Sequence, residues 1–134
     1  MNRLPDWQLR LDALVTERLK VPFTWGNNDC ALFAADAVLA MTGHDLASDM
    51  RDHRSARQAL ETIRRHGGLP AIVTSALGPS CAAGAARQGD VVALMEGKHV
   101  GLAICIDSEM AVGPSRRGLV MLPMAKALCS WRVG

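Results

Sequence analysis

The run Trp25-Gly26-Asn27-Asn28-Asp29-Cys30 leads straight into the apolar stretch Ala31 to Met41, which sets a cysteine in the first turn of a buried helix. A helix N-terminus carries about half a positive charge and unpaired backbone N–H groups, and both favour a thiolate. Cys30 is therefore the first candidate nucleophile. Such a thiol needs an imidazole partner, which usually comes from a distant part of the chain. Of the four histidines, His44 and His53 fall in a polar stretch and His66 ends a charged helix, so these three read as solvated. His99 differs because it opens the strand Lys98-His99-Val100-Gly101-Leu102-Ala103-Ile104 directly after a tight turn. Strand alternation groups His99, Gly101, Ala103 and Cys105 on one face, and Val100, Leu102, Ile104 and Ile106 on the other. The small-residue face is expected to admit the Cys30 helix, giving a Cys30/His99 pair. The competing reading is a core cysteine and a rim histidine with ordinary hydrogen bonds.

The elements that must position this pair follow from periodicity. Trp7, Leu11, Leu14, Val15 and Arg18 recur at helical spacing over Pro5 to Leu19, with Pro5 and Asp6 suited to a first turn. Pro22 and Gly26 break the period and make a connection into the cysteine turn. The second helix carries Cys30, Phe33, Ala34, Ala37, Val38 and Met41 on one stripe, with Leu32 and Leu39 beside it, and Thr42-Gly43 closes it. A helix so widely apolar is a central one. His44 to His53 reads as a loop, Arg54 to His66 as a third helix with Ala56, Leu60 and Ile63 inward, and Leu69 to Leu77 as a short fourth. Beyond Gly78-Pro79 and a small-residue loop, strand signals dominate. Asp90–Glu96, His99–Ile106, Glu109–Val112, Leu119–Leu122 and Ser130–Val133 fit strands, with turns at Gly97-Lys98, Asp107-Ser108 and Gly113 to Gly118. The expected fold is α+β, a single domain over residues 1–134, with helices (about 5–78) packed on one face of a small antiparallel sheet (about 88–134).

Composition narrows the classes. The chain has 134 residues and a formal charge of +2, with dispersed arginines, so neither nucleic acid nor an anionic membrane is an expected partner. Met1 to Asp6 has no apolar core of signal-peptide length, and no segment approaches the ~20 apolar residues that span a bilayer. The expectation is a protein made in a bacterial cytoplasm, with any export left to an assembly. Cys30, Cys81, Cys105 and Cys129 are widely spaced with no CxxC pair, and read as free thiols rather than disulfides or a zinc site. No metal and no cofactor is expected.

Phe23-Thr24-Trp25-Gly26-Asn27-Asn28-Asp29-Cys30 resembles a compact form of the aromatic-x-x-Gly-Gly…Asp-Cys-Ser-Gly segment of NlpC-type cell-wall peptidases. Gly89-Asp90-Val91-Val92 followed by His99-Val100-Gly101-Leu102-Ala103-Ile104 is similar to their Gly-Asp-Leu-Val…His-Val-Gly-Ile-Tyr-Ile hairpin. The resemblance covers about residues 21–122. It implies a papain-like cysteine hydrolase of peptidoglycan stem peptides, with Cys30 as nucleophile and His99 as general base. The Trp-Gly-x-x-Asp-Cys opening, the Met-Thr-Gly-His-Asp helix end and the Trp-Arg-Val-Gly terminus look like a compact branch encoded among phage tail genes. That implies a virion tail location and tail or tail-hub proteins as partners.

The departures from the family pattern are specific. The third polar residue, which in the family comes from the strand after the histidine strand, is replaced by Ala111-Val112. Asp107, Glu109, a backbone carbonyl or a water is left to orient the imidazole. Ala31-Leu32 replaces Ser-Gly, and the chain has no tyrosine. In the implied mechanism the Cys30 backbone N–H serves as oxyanion donor. Asp29 either shapes the site or simply caps the helix; Trp25 lines a groove or packs in the core; Gly26 permits a tight approach to the helix start. Three functions follow: a cysteine amidase or endopeptidase, a tail subunit that keeps the fold without the chemistry, and a cysteine-ligated metal site.

Overall fold

Each helix of the computed structural model, which describes residues 1–48, 51 and 55–134, starts and stops where local chemistry demands. Helix α1 (Trp7–Arg18) begins after Asp6, whose carboxylate accepts from Arg10 at 2.8 Å. Helix α2 (Cys30–Thr42) is capped by Asp29, which accepts from the Leu32 N–H, and ends at Gly43 in the left-handed region, φ 81°. Ser55 caps α3 (Ala56–Arg65), and Gly68 with Pro70 opens α4 (Leu69–Leu77). The expected loop at His44 to His53 and the start of α3 at Arg54 fall partly outside the described residues. In α3 it is Ala59 that is buried, while Leu60, expected inward, is 40% exposed; it lies one residue off the Ala59–Ile63 stripe.

Strands β1 (Val91–Glu96), β2 (His99–Cys105), β3 (Met110–Ser115), β4 (Gly118–Pro123) and β5 (Ala127–Trp131) form one antiparallel sheet in the order β4-β3-β2-β1-β5. The fold is α+β, as expected, with α2 against the sheet and α1 behind it. The turn between β3 and β4 is only Arg116-Arg117, shorter than the Gly113 to Gly118 expected, because Gly113 and Pro114 both lie within β3 opposite Val120 and Leu119. Strand β5 starts at Ala127 rather than Ser130, since a register shift at Ala93/Leu94 lets it run further along β1.

The helices take the opposite face of β2 from the one expected. Phe33, Ala34, Ala37 and Val38 of α2 share a core with Val91, Ala93, Leu102, Ile104 and Val112. Ala103 and Cys105 face away, into a second cluster with Val92, Leu94, Ala111 and Met124. The branched side chains win the helices because burying them removes more apolar surface from water, at about 25 cal/mol per Å². The small-residue face needs only the thin cover that Leu122, Met124 and Ala127 provide.

Candidate active site

The loop entering α2 is built by Asn28 and Asp29, both buried. Asn28 donates through Nδ2 to the carbonyls of Val21 (3.2 Å) and Pro22 (3.1 Å), and accepts from Arg18 Nη1 at 3.0 Å. Asp29 accepts from Leu32 N at 2.9 Å with one oxygen and from Gly26 N at 3.0 Å with the other. Gly26, at φ 78°, occupies the left-handed region that a glycine enters without strain. Phe23 and Trp25 stack edge to face with ring centroids 4.7 Å apart, half-buried beside the helix start. The Phe23 N–H donates to the Ser115 carbonyl at 2.8 Å, which docks this loop on the β3–β4 hairpin. Asn28 went unnoticed in the sequence, although an Asn two residues before a helix cysteine is a recognisable loop-holding residue.

Cys30 is the first residue of α2 and packs against the core that α2 shares with Leu102 and Ile104, whereas alternation along β2 puts His99 on the other face, with Gly101, Ala103 and Cys105. The β2–β3 ladder contains only Ile104↔Val112 and Cys105↔Ala111. Two residues further on, the register would set Leu102 against Pro114, which has no N–H to give, so the ladder stops there. The backbone N–H groups of Leu102 and Ala31 lie against the Cys30 sulfur and favour its thiolate. Burial outweighs them, helped by the carboxylates of Glu96 and Asp29, and the thiol is pushed up to about 11. The helix start therefore does not by itself deliver the thiolate expected of it. The Cys30 N–H donates to no acceptor among the described residues, which leaves it available to an oxyanion. An apolar cavity of about 50 Å³ lies between α2 and α4, lined by Ala31, Ala34, Val73, Ala76 and Leu102 among others; neither Cys30 nor His99 lines it.

His99 is the exposed first residue of β2, three positions from the Leu102 N–H. It pairs with Glu96 across the Gly97-Lys98 turn and makes no hydrogen bond or ion pair among the described residues. The residues considered for orienting it are elsewhere. Asp107 sits at the far end of β2 and accepts from Glu109 N and Met110 N, both at 2.8 Å, inside its own turn. Glu109 belongs to that same turn, 10 residues along the chain from His99 and at the opposite end of the strand. Ala111 and Val112 are core residues opposite Cys105 and Ile104. His44 is exposed, His66 bonds the Thr62 carbonyl at the end of α3 (2.8 Å), and His53 lies outside the described residues. All four cysteines are free, and among the described residues no cluster of three or more His, Cys, Asp or Glu side chains is placed to hold a metal. No helix among them is long and apolar enough to cross a membrane.

A cysteine at the start of a central helix, laid against the strand that a histidine opens, belongs to an α+β fold of the NlpC/p60 type. The crystal structure of the NlpC/p60 domain of the peptidoglycan hydrolase SagA matches it with a TM-score of 0.62 at 14% identity, over 92% of this chain and 97% of that one. Within that fold the chain belongs to the family described as a domain of unknown function (DUF6950), which matches residues 2–133. No curated protein matches it.

Proposed function

We propose that this chain is a cysteine hydrolase that cuts amide bonds in peptidoglycan stem peptides, with Cys30 as nucleophile and His99 as general base. The observation that carries the reading is Cys30 at the start of α2, packed on the core that this helix shares with β2, the strand headed by His99, within a fold shared with a peptidoglycan hydrolase domain. Cys30 gives its proton to His99, and the thiolate attacks the peptide carbonyl; the Cys30 N–H receives the developing oxyanion. The intermediate collapses to a thioester as His99 protonates the leaving amine. Water, deprotonated by His99, then releases the acid and restores the thiol. Trp25 and Phe23, half-buried in the loop that enters α2, offer an apolar surface to the peptide.

The Trp25 to Cys30 opening, the Met41-Thr42-Gly43-His44-Asp45 helix end and the Trp131 to Gly134 terminus support a place in a phage tail. In that setting the protein is made in the bacterial cytoplasm, carried in the virion tail beside other tail or hub proteins, and presented to the wall on infection. A second reading, a tail subunit that keeps the fold without the chemistry, is favoured by the thiol pushed up to about 11 and the lack of a Cys30–His99 hydrogen bond. Zymography on purified peptidoglycan separates the two. Lysis by the wild type that is lost in Cys30→Ser and His99→Ala is expected of the hydrolase. Equal lysis by all three rejects the Cys/His mechanism, and no lysis by any of them leaves the structural subunit.

A further inference from the structure

The imidazole of a cysteine hydrolase is oriented by a partner at its second ring nitrogen, and the strand that follows β2 offers Ala111 and Val112, which have no polar side chain, and Ser115, whose hydroxyl already donates to the Gly118 carbonyl at 2.6 Å. The strand that precedes it supplies a carboxylate. Glu96 and His99 flank the two-residue turn Gly97-Lys98, with Gly97 at φ 63°, and are direct partners in the β1–β2 ladder. Directly opposed residues share a face, with Cβ atoms about 4.5–5.5 Å apart. The Glu96 side chain leans along that face onto Gly101: a Cβ at Gly101 would lie 2.6 Å from the Glu96 Cδ and 2.8 and 3.0 Å from its two oxygens. The missing side chain at position 101 is thus filled by the acid. Among the described residues neither the Glu96 carboxylate nor the His99 ring makes a hydrogen bond or ion pair, with each other or with a third group, so they are joined by register and shared face, and a side-chain rotation is needed to bring them into contact. Glu96 nevertheless acts electrostatically on Cys30.

We propose that Glu96 is the positioning residue of this site, accepting an N–H from the His99 ring and so fixing the imidazole at the end of the β1–β2 hairpin. This rests on the hydrolase reading for its purpose but not for its test. The charges explain the arrangement. Alone, Glu96 and Asp29 oppose a thiolate at Cys30. Once His99 is protonated beside Glu96, the cation offsets that carboxylate and leaves the thiolate with a favourable neighbour. Lys98, in the turn itself, is the other charged group on this hairpin end.

The test is a double-mutant cycle on the full chain, reading the rate at which iodoacetamide alkylates Cys30 near neutral pH, with the Cys30 peptide resolved by mass spectrometry. In the His99 background, Glu96→Gln is expected to slow alkylation by about tenfold, one pKa unit of lost thiolate. In the His99→Ala background the same change removes only a repulsive charge, so alkylation is expected to speed up. Gly101→Ala, which displaces the carboxylate without altering it, should follow Glu96→Gln. Acceleration by Glu96→Gln in both backgrounds, or no effect in either, overturns the proposal. Peptidoglycan hydrolysis is followed on the same samples. If the rate effect reverses sign but the wild type does not lyse the wall, the pairing stands and the hydrolase reading falls.

Discussion

Burial and two carboxylates hold the proton on Cys30 against the pull of the Leu102 and Ala31 N–H groups. The consequence for stability has a definite sign. Below the ordinary thiol value of 9.0 the group is protonated in the folded and the unfolded chain alike, so stability is fully retained. As pH rises from there towards about 11, the unfolded chain ionises first and stability is lost. Urea midpoints measured on either side of that window should fall less in Cys30→Ser, which has no thiol to ionise, than in the wild type. An equal fall in both would mean that Cys30 is not withdrawn from water. The cysteine turn itself was legible in the sequence because cap, glycine and apolar run are contiguous. Glu96 was not, since a charge at a strand end reads as solvated rim. The signal that could have found it is the two-residue spacing of Glu96-Gly97-Lys98-His99, which fixes those two residues as ladder partners.

At the level of elements, the cysteine loop is held by the hairpin of β3 and β4, and Gly118 is where the two meet. At φ 117°, a Cβ on Gly118 would run into the Leu19 carbonyl, the acceptor for the Leu119 N–H at 3.1 Å. Gly118→Ala should cost more than about 1 kcal/mol, because both the backbone conformation and the space are wrong for a side chain. It should also raise the rate of Cys30 alkylation, because Phe23 and Trp25 lose their seat. A variant with unchanged urea midpoint would contradict that account. The five strands and four helices follow from periodicity, and most were readable. Which face of β2 meets the helices was not, because alternation defines two faces without ranking them. The larger side chains decided it. Gly113-Pro114 reads as a turn in isolation, yet the register sets Pro114 opposite Leu119 in β4, and the N–H it lacks is one that only the shortened ladder to β2 would have used, so the proline stays in the strand.

Across the whole molecule, Arg3 ties the two ends of the described chain to the sheet. Its guanidinium donates to the carbonyls of Val133 and Gln88, both at 2.7 Å, and to Asp90 at 2.9 Å, and it lies 4.1 Å over the Trp7 ring. Asp90, almost wholly buried, also accepts from Val133 N and Arg87 N. Removing one partner of such a pair strands the other, so Asp90→Ala should lower stability by about 3–5 kcal/mol in urea denaturation. A loss within the range of a surface substitution would show that Arg3 and Asp90 are not coupled. In the sequence Asp90 reads as the opening of a strand after Gly89; its long-range partners, 87 and 43 positions away, leave no local pattern to read.

The sheet order β4-β3-β2-β1-β5 sets the last strand beside the first, so β1 has an unpaired edge until Ala127–Trp131 arrives. The docking of β5 is therefore linked to the far end of the fold: undocking it breaks the β1–β5 pairing and the Val133 contacts of Arg3 and Asp90 together. A chain whose β5 is undocked would present that side of β1 as a template for a strand from another molecule.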